Sequence, residues 1–327
     1  MNLAPVVIPT LCRYEHFKKC IESLSRCTWA EETEVYVGLD YPVKESHWDG
    51  YNKIKSYLSS CGNLNFKELH VIERAYNYGI GLNGNFSDLR KLVFQYHDKV
   101  ICTEDDNIFS PNFLVYINKG LELYENDDEI FAICGYSHPY GFKFEENNHF
   151  KHNTDFSAWG YGIWKDKYNN VVDWICKSNN YGLLRPKYIF KFKGHGLNRL
   201  RDFFKYINSI SIGWITDTLL SVYMIINDKY VIMPQTTKVR NEGWNSWGES
   251  FKNGMSKRSK ELAVVHNNQK IDSKRGFVFV GDSNLFIQEN NAIAASQSDG
   301  KIGLRTFVCA ACTCFMKRLA KKILRRA

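Results

Sequence analysis

Apolar and polar positions along the first 135 residues switch repeatedly between strand and helix patterns. Ala4-Pro-Val-Val-Ile-Pro-Thr10 is a short apolar run broken by proline, which predicts a buried strand. Phe17, Ile21 and Leu24 then recur at helical spacing among Lys18, Lys19 and Glu22. Glu34 to Asp40 predicts a second strand, ending on a carboxylate. A helix is expected over Tyr51 to Leu58 and a third strand over Leu69 to Ile72. Asn77 to Asn85, rich in Gly and Asn, predicts a loop, and Phe86 to Tyr96 a helix. Lys99 to Thr103 predicts a fourth strand running into Glu104-Asp105-Asp106. Phe113 to Tyr124 predicts another helix and Ile130 to Cys134 another strand. This order predicts an α/β fold: an open, mainly parallel sheet flanked by helices on both faces. Residues 197–230 read as mainly helical, and the polar stretch 252–300 as irregular or partly disordered.

The chain has 327 residues, enough for one large α/β domain or two closely joined ones. With 44% hydrophobic and 24% charged residues it is neither a disordered chain nor a disulfide mini-protein. No apolar run reaches the ~18 residues a bilayer span needs. Met1 to Thr10 has no basic region followed by a long apolar stretch, so no export signal is expected. Ten cysteines without paired ligand spacing then read as reduced thiols in a cytoplasm. The net charge of +8 resides wholly in residues 301–327, which carry eight basic residues and no acid. A formally neutral body argues against nucleic acid as a partner.

In parallel sheets, ligands sit beyond the carboxyl ends of the strands. Asp40 and Glu104-Asp105-Asp106 both fall there. Three adjacent carboxylates repel one another unless a hard cation or several donors share the site. A divalent metal there bridges to a diphosphate and neutralises charge on a departing phosphate oxygen. A solvated acidic turn or helix start is the bland alternative. Asp40 suits either a pair of ribose hydroxyls or a turn before Pro42.

Five segments resemble a GT-A-fold glycosyltransferase of the family-2 type. They are Val6-Val-Ile-Pro-Thr-Leu-Cys-Arg13 with Cys20-Ile-Glu-Ser-Leu24, Val37-Gly-Leu-Asp40, Asn77-Tyr-Gly-Ile-Gly81, Cys102 to Phe113, and Asn153 to Trp164. The Glu-Asp-Asp form of the fourth is similar to that of the N-acetylglucosaminyltransferase I group. The resemblance spans about residues 4–245. It implies a GT-A, Rossmann-like fold, a UDP-sugar donor, and Mn2+ (or Mg2+) held by Asp106. Glu104 and Asp105 would then lie near the ribose and sugar. Pro9, Arg13, Asp40 and Asn77 would line the nucleotide. Arg240, in Val239-Arg-Asn-Glu-Gly-Trp244, would face the phosphates; a surface ion pair with Glu242 is its alternative.

Sugar transfer by single displacement needs a base for the acceptor hydroxyl. The resemblance assigns this to an Asp after a tryptophan at a helix start, which Trp214 and Asp217 match. Asp217 or Thr216 as a simple cap is the alternative; Asp155, Asp166 and Asp173 are further candidates. Trp159, Tyr161, Trp214 and Trp244 offer apolar faces to a saccharide acceptor, or else pack in the core. His195 could ligate a metal but lacks a partner histidine at ligand spacing, and His149 and His152 read as loop residues.

The last segment places Phe307, Ala311, Phe315, Leu319 and Ile323 on one helical face, with Lys and Arg at four-residue spacing beside it. Residues 306–327 thus read as an amphipathic helix for an anionic membrane surface. The division expected is a nucleotide-sugar half (1–135), an acceptor and catalytic half (136–250), a polar segment (251–300) and a basic tail (301–327). The expected function is an inverting, metal-dependent glycosyltransferase moving a sugar, GlcNAc by resemblance, from a UDP-sugar to a saccharide or glycolipid acceptor. It would act in cell-surface glycan synthesis at the inner face of the membrane. The alternatives are an inactive glycan-binding or scaffold subunit, and a sugar-nucleotide nucleotidyltransferase.

Overall fold

The computed structural model describes residues 2–60, 64–81, 83–139, 147–177, 186–192, 195, 199–204, 217–243 and 257–281, plus five residues between 305 and 316. Its centre is an eight-stranded sheet. Strands β1 (Val6–Thr10), β2 (Glu34–Leu39), β3 (Glu68–Glu73) and β4 (Lys99–Cys102) are mutually parallel, in the order β3-β2-β1-β4. Beyond β4 lie β8 (Tyr161–Trp164), β6 (Ile130–Cys134), β9 (Tyr230–Pro234) and β7 (His149–His152). β8 and β7 run antiparallel to their neighbours, whereas β6 and β9 pair in parallel. The expected α/β, mainly parallel sheet is therefore present. The antiparallel strands β7 and β8 fall between residues 149 and 164, for which the sequence pattern predicts no strand.

Side-chain alternation explains the layering. Val6, Ile8, Val35, Val37, Leu39 and Ile101 point to one face. There they meet α1 (Tyr14–Ser25), α2 (Trp48–Ser60) and α4 (Phe113–Leu123). Val7, Val100 and Cys102 point to the other, against α3 (Asn85–Val93), α5 (Lys165–Lys177) and α7 (Asp217–Asn227). A short helix, α6 (Pro186–Lys191), packs on the outer side of α7. In α1 the predicted stripe is fully buried: Phe17, Ile21 and Leu24 are each 0% exposed. Burial of such side chains at ~1.5–3 kcal/mol each holds the helix, which has no side-chain cap at its N-terminus.

A two-stranded ribbon of β5 (Asn107–Phe109) and β10 (Val239–Asn241) crosses the rim of the sheet. Of the polar stretch 252–300, residues 257–281 are described, and they begin with a helix that the composition does not predict. Lys257–Asn267 forms helix α8, and Phe277 beyond it is buried against Tyr116 in a T-shaped contact of 4.9 Å. Lys238, 1% exposed, pairs with Asp272 of the same segment. A buried lysine tied to its partner fixes the segment in a way that hydropathy alone does not reveal. No helix among the described residues is long and apolar enough to cross a membrane. Of the tail, Arg305, Val308, Cys309, Cys312 and Met316 are helical; the rest of 306–327 lies outside the described residues.

Candidate active site

Parallel strands finish on one rim, so Thr10, Asp40 and the acidic triplet are brought together by topology alone. Asp105 and Asp106 are 5% and 6% exposed. The Thr10 hydroxyl donates to Asp105 Oδ2 at 2.8 Å. Arg13, in the turn before α1, donates to Asp106 Oδ2 at 2.7 Å and also to Asp105 Oδ1. From the β5–β10 ribbon, Asn241 Nδ2 donates to Asp106 Oδ1 at 2.6 Å. The backbone at Gly243 closes over this carboxylate: a Cβ there would stand 2.1 Å from Asp106 Oδ2. Glycine is what permits that approach.

The Glu104 and Asp105 carboxyls are raised. Burial raises the Asp105 carboxyl and Asp106 adds to it, against the pull of Arg13 and Thr10. Glu104 is held well above its usual range, first by burial, then by Asp106 and by Asp217. Burial works against the Arg13 charge, but Asp105 and Asp106 outweigh it and hold the guanidinium firmly protonated. The carboxylates are hard oxygen donors of the kind Mn2+ or Mg2+ takes, and Arg13 holds both aspartates as they stand, so an ion would have to displace it.

The charge of Asp217 acts on Glu104. Asp217 opens α7. Solvent reaches it, yet the surrounding protein is dense enough that burial raises its carboxyl. Ser221, one turn on, fixes its backbone. The Ser221 hydroxyl donates to Asp217 O at 2.8 Å and accepts from the Phe156 amide at 2.9 Å. The base candidate and the loop before β8 are thereby joined.

Asp40 is buried and accepts three backbone amides, those of Tyr41 (2.9 Å), Tyr78 (2.8 Å) and Gly79 (2.9 Å). Asn77 Nδ2 donates to Tyr41 O at 2.7 Å. Gly79 adopts φ +60°, which a side chain resists. Both polar residues thus build the 77–81 loop. Pro9 stands beside Gly38 in register and is half-buried. Arg240 Nη2 donates to Glu242 at 2.8 Å, the ion pair weighed as its alternative, while its Nε is shielded without an acceptor.

On the other half of the rim, Trp159 is half-buried and meets Tyr136 edge-on at 4.6 Å. Tyr161 is a correction. It is 3% exposed, and its hydroxyl accepts from Arg90 Nη1 at 2.8 Å. Strand alternation turns it into the core, where no acceptor reaches it. Trp214 and Trp244 lie outside the described residues. His149 and His152 are also corrections: they belong to β7 and are each 1% exposed, not loop residues. His195 Nδ1 lies 2.9 Å from the Thr154 hydroxyl. Asp155 is 3% exposed and pairs with Arg199 at 2.8 Å. Asp166 starts α5 and Asp173 lies within it.

Sequence reasoning missed Thr10, Asn241 and Arg199. A signal existed for Asn241: it sits two residues from apolar Val239 in a strand, so the two share the inward side, and Arg240 turns outward.

No family model matches the chain, and no curated protein matches it. Among solved structures, it is similar to mannosyltransferase PcManGT from Pyrobaculum calidifontis, in complex with GDP-Man and Mn2+. That likeness has 12% identity, covers 51% of this chain and 46% of the other, and has a TM-score of 0.37. The chain thus spans about half of that protein's length. S. aureus TarS 1–349 is 12% identical, with 83% and 67% covered and a TM-score of 0.41. A Bacillus anthracis protein described as a glucose-1-phosphate thymidylyltransferase is 11% identical, with 86% and 98% covered and a TM-score of 0.35. Likenesses this distant say nothing about chemistry, which rests on the residues themselves.

Proposed function

We propose that the chain is an inverting, metal-dependent glycosyltransferase that moves a sugar from a UDP-sugar to a saccharide acceptor. The observation that carries the reading is the arrangement on one rim: Asp105 and Asp106 buried together beneath Thr10, Arg13 and Asn241, and Glu104 raised by burial with the charges of Asp106 and Asp217 acting on it. Asp106 would hold Mn2+ or Mg2+, which when bound supplies positive charge to the departing diphosphate. Arg13 is placed to follow the phosphates once it leaves the acidic pair, and Arg240 to assist it. Asp217 takes the acceptor proton as the acceptor oxygen bonds to the anomeric carbon. The bond to the diphosphate oxygen breaks, and UDP leaves with the electron pair. Burial raises its carboxyl, which makes it a better proton acceptor than a free aspartate. Trp159 offers its half-buried ring to the acceptor sugar.

The finer parts of the reading are GlcNAc as the sugar, a lipid-linked glycan as acceptor, and residues 306–327 on an anionic inner membrane face. One observation favours a second reading, a binding or scaffold subunit without turnover. Arg13 seated on both aspartates gives them a cation without any metal. UDP release from a panel of UDP-sugars, with and without Mn2+, separates the two. Metal-dependent release, lost on Asp106→Ala by roughly a thousandfold, supports the enzyme. Release in neither condition, with UDP still bound, supports the scaffold.

A further inference from the structure

After α1 the chain turns through residues 26–29 and leaves a cavity of about 350 Å³ against α4 and the 275–278 segment. Arg13, which holds the acidic pair, lies at the other end of α1, about 18 Å away along its axis. The cavity is therefore separate from the candidate active site. Its volume is at the lower end of the range for small-molecule pockets, with room for one ring-sized group.

Three features set it apart from an ordinary surface hollow. The first is a ring. Trp29 lines the cavity half-buried, at φ +74°, a left-handed backbone that a bulky side chain rarely adopts. The turn is tied down on both sides: the Thr28 amide donates to Pro111 O at 2.8 Å, and the Thr33 hydroxyl donates to Trp29 O at 2.6 Å. Strain held in this way gathers at binding sites, where it fixes the angle of a side chain. The second is charge. Lys119 and Arg275 line the cavity, and no acid among the described residues does. Lys119 gives one of its three donors to Phe277 O at 2.8 Å. Arg275 is exposed and makes no ion pair among the described residues. The third is an orphaned group: the Thr28 hydroxyl is shielded and has no hydrogen-bond partner, a state that asks for a reason. The wall is open at Gly276, where an added Cβ would meet nothing within 4 Å.

We propose that this cavity binds an anionic sugar, a hexose carrying a phosphate or a carboxylate. The C–H face of the ring lies on Trp29, and the anionic group takes Lys119 and Arg275. A ring hydroxyl offers Thr28 the partner it lacks, once the Thr28 side chain turns to the cavity. Base, ribose and phosphate together exceed the space, so a nucleotide does not suit it. The site does not depend on the proposed transfer reaction.

The test is saturation-transfer NMR, read by titration, on the full chain with glucose 6-phosphate, glucuronic acid, glucose, inorganic phosphate and UMP. It runs beside Gly276→Leu, Arg275→Gln and Asp106→Asn. Gly276→Leu fills the cavity from a position with space for a side chain. Both anionic sugars should bind, with glucose and inorganic phosphate roughly fivefold weaker. Their affinity should fall about tenfold or more in Gly276→Leu and about fivefold in Arg275→Gln, and stay unchanged in Asp106→Asn. Should Gly276→Leu not fold, the Trp29 indole signal of the unaltered chain, assigned with Trp29→Phe, decides: glucose 6-phosphate should shift it, and glucose at the same concentration should not. Binding that survives Gly276→Leu, glucose or phosphate alone binding as tightly as the anionic sugars, UMP as the tighter ligand of the Gly276-dependent site, or an unmoved indole overturns the proposal.

Discussion

Two buried carboxylates of this molecule, Asp105 and Asp155, each carry an arginine, and they come out opposite. Asp155 is met by Arg199 at 2.8 Å and lies 3.6 Å from His152 Nε2. These partners outweigh burial and hold its carboxyl far below the usual range. Asp105 shares one guanidinium with Asp106, stands near Glu104, and is pushed up instead. The difference is the ratio of positive to negative charge, not depth. Arg199 is itself shared with Asp202, but His152 and His138 add to its pull on Asp155, whereas Asp105 has the guanidinium it shares with Asp106 and the Thr10 hydroxyl against two neighbouring acids.

The comparison breaks most visibly in the reaction. Asp217→Asn should lower the transfer rate by about 10²–10⁴-fold while leaving UDP affinity nearly unchanged, measured by product release and by calorimetry. Full activity would remove Asp217 as the base and direct attention to Asp155. The next effect is on folding. Asp155→Asn strands Arg199 beside a neutral amide and should cost about 3 kcal/mol in urea unfolding, with little change in UDP binding. A stability loss below ~1 kcal/mol would show that Asp202, 2.9 Å from Arg199, compensates alone.

The acidic triplet should respond with the other sign. Glu104→Gln removes a carboxyl that burial and its acidic neighbours disfavour and should stabilise the ligand-free chain by roughly 1 kcal/mol at neutral pH, while reducing activity. The smallest effect is its pH dependence. A raised folded pKa means Glu104 costs stability as pH rises from the ordinary carboxylate range through the raised value. The advantage of the variant should therefore shrink on acidification and vanish near pH 4. Asp155 runs in reverse. Its depressed value lends stability above the ordinary range, lost as pH falls towards the lowered one. Unfolding midpoints at several pH values test both slopes; parallel slopes would abolish the contrast.

The left half of this picture was legible in the chain, because β1 to β4 are apolar runs of the right length between helical repeats. Asp105, Asp106 and Asp40 follow directly from strand ends. The right half was not. β7 (His149–His152) is buried although its residues are His-Phe-Lys-His, since Glu129, Tyr124 and Tyr230 meet its polar groups from distant segments. Tyr161 looked like a binding ring because a glycine-flanked aromatic carries no sign of its direction; only the pairing of β8 with β4 turns it inward. Arg199 and Asp155 lie 44 positions apart in the sequence with no periodicity to link them. Long-range polar pairing leaves little local trace, whereas hydrophobic alternation is local by nature.

The hydroxyl of Ser221 binds the carbonyl of Asp217, the proposed base, and the amide of Phe156 at once. Under the proposed function, acceptor loop and base are consequently one mechanical part, while Asp105 and Asp106 are held from β1, the turn before α1 and the β5–β10 ribbon. A lineage exploring new acceptors must renegotiate the position of its own proton carrier each time, but one exploring new donors is free of that constraint.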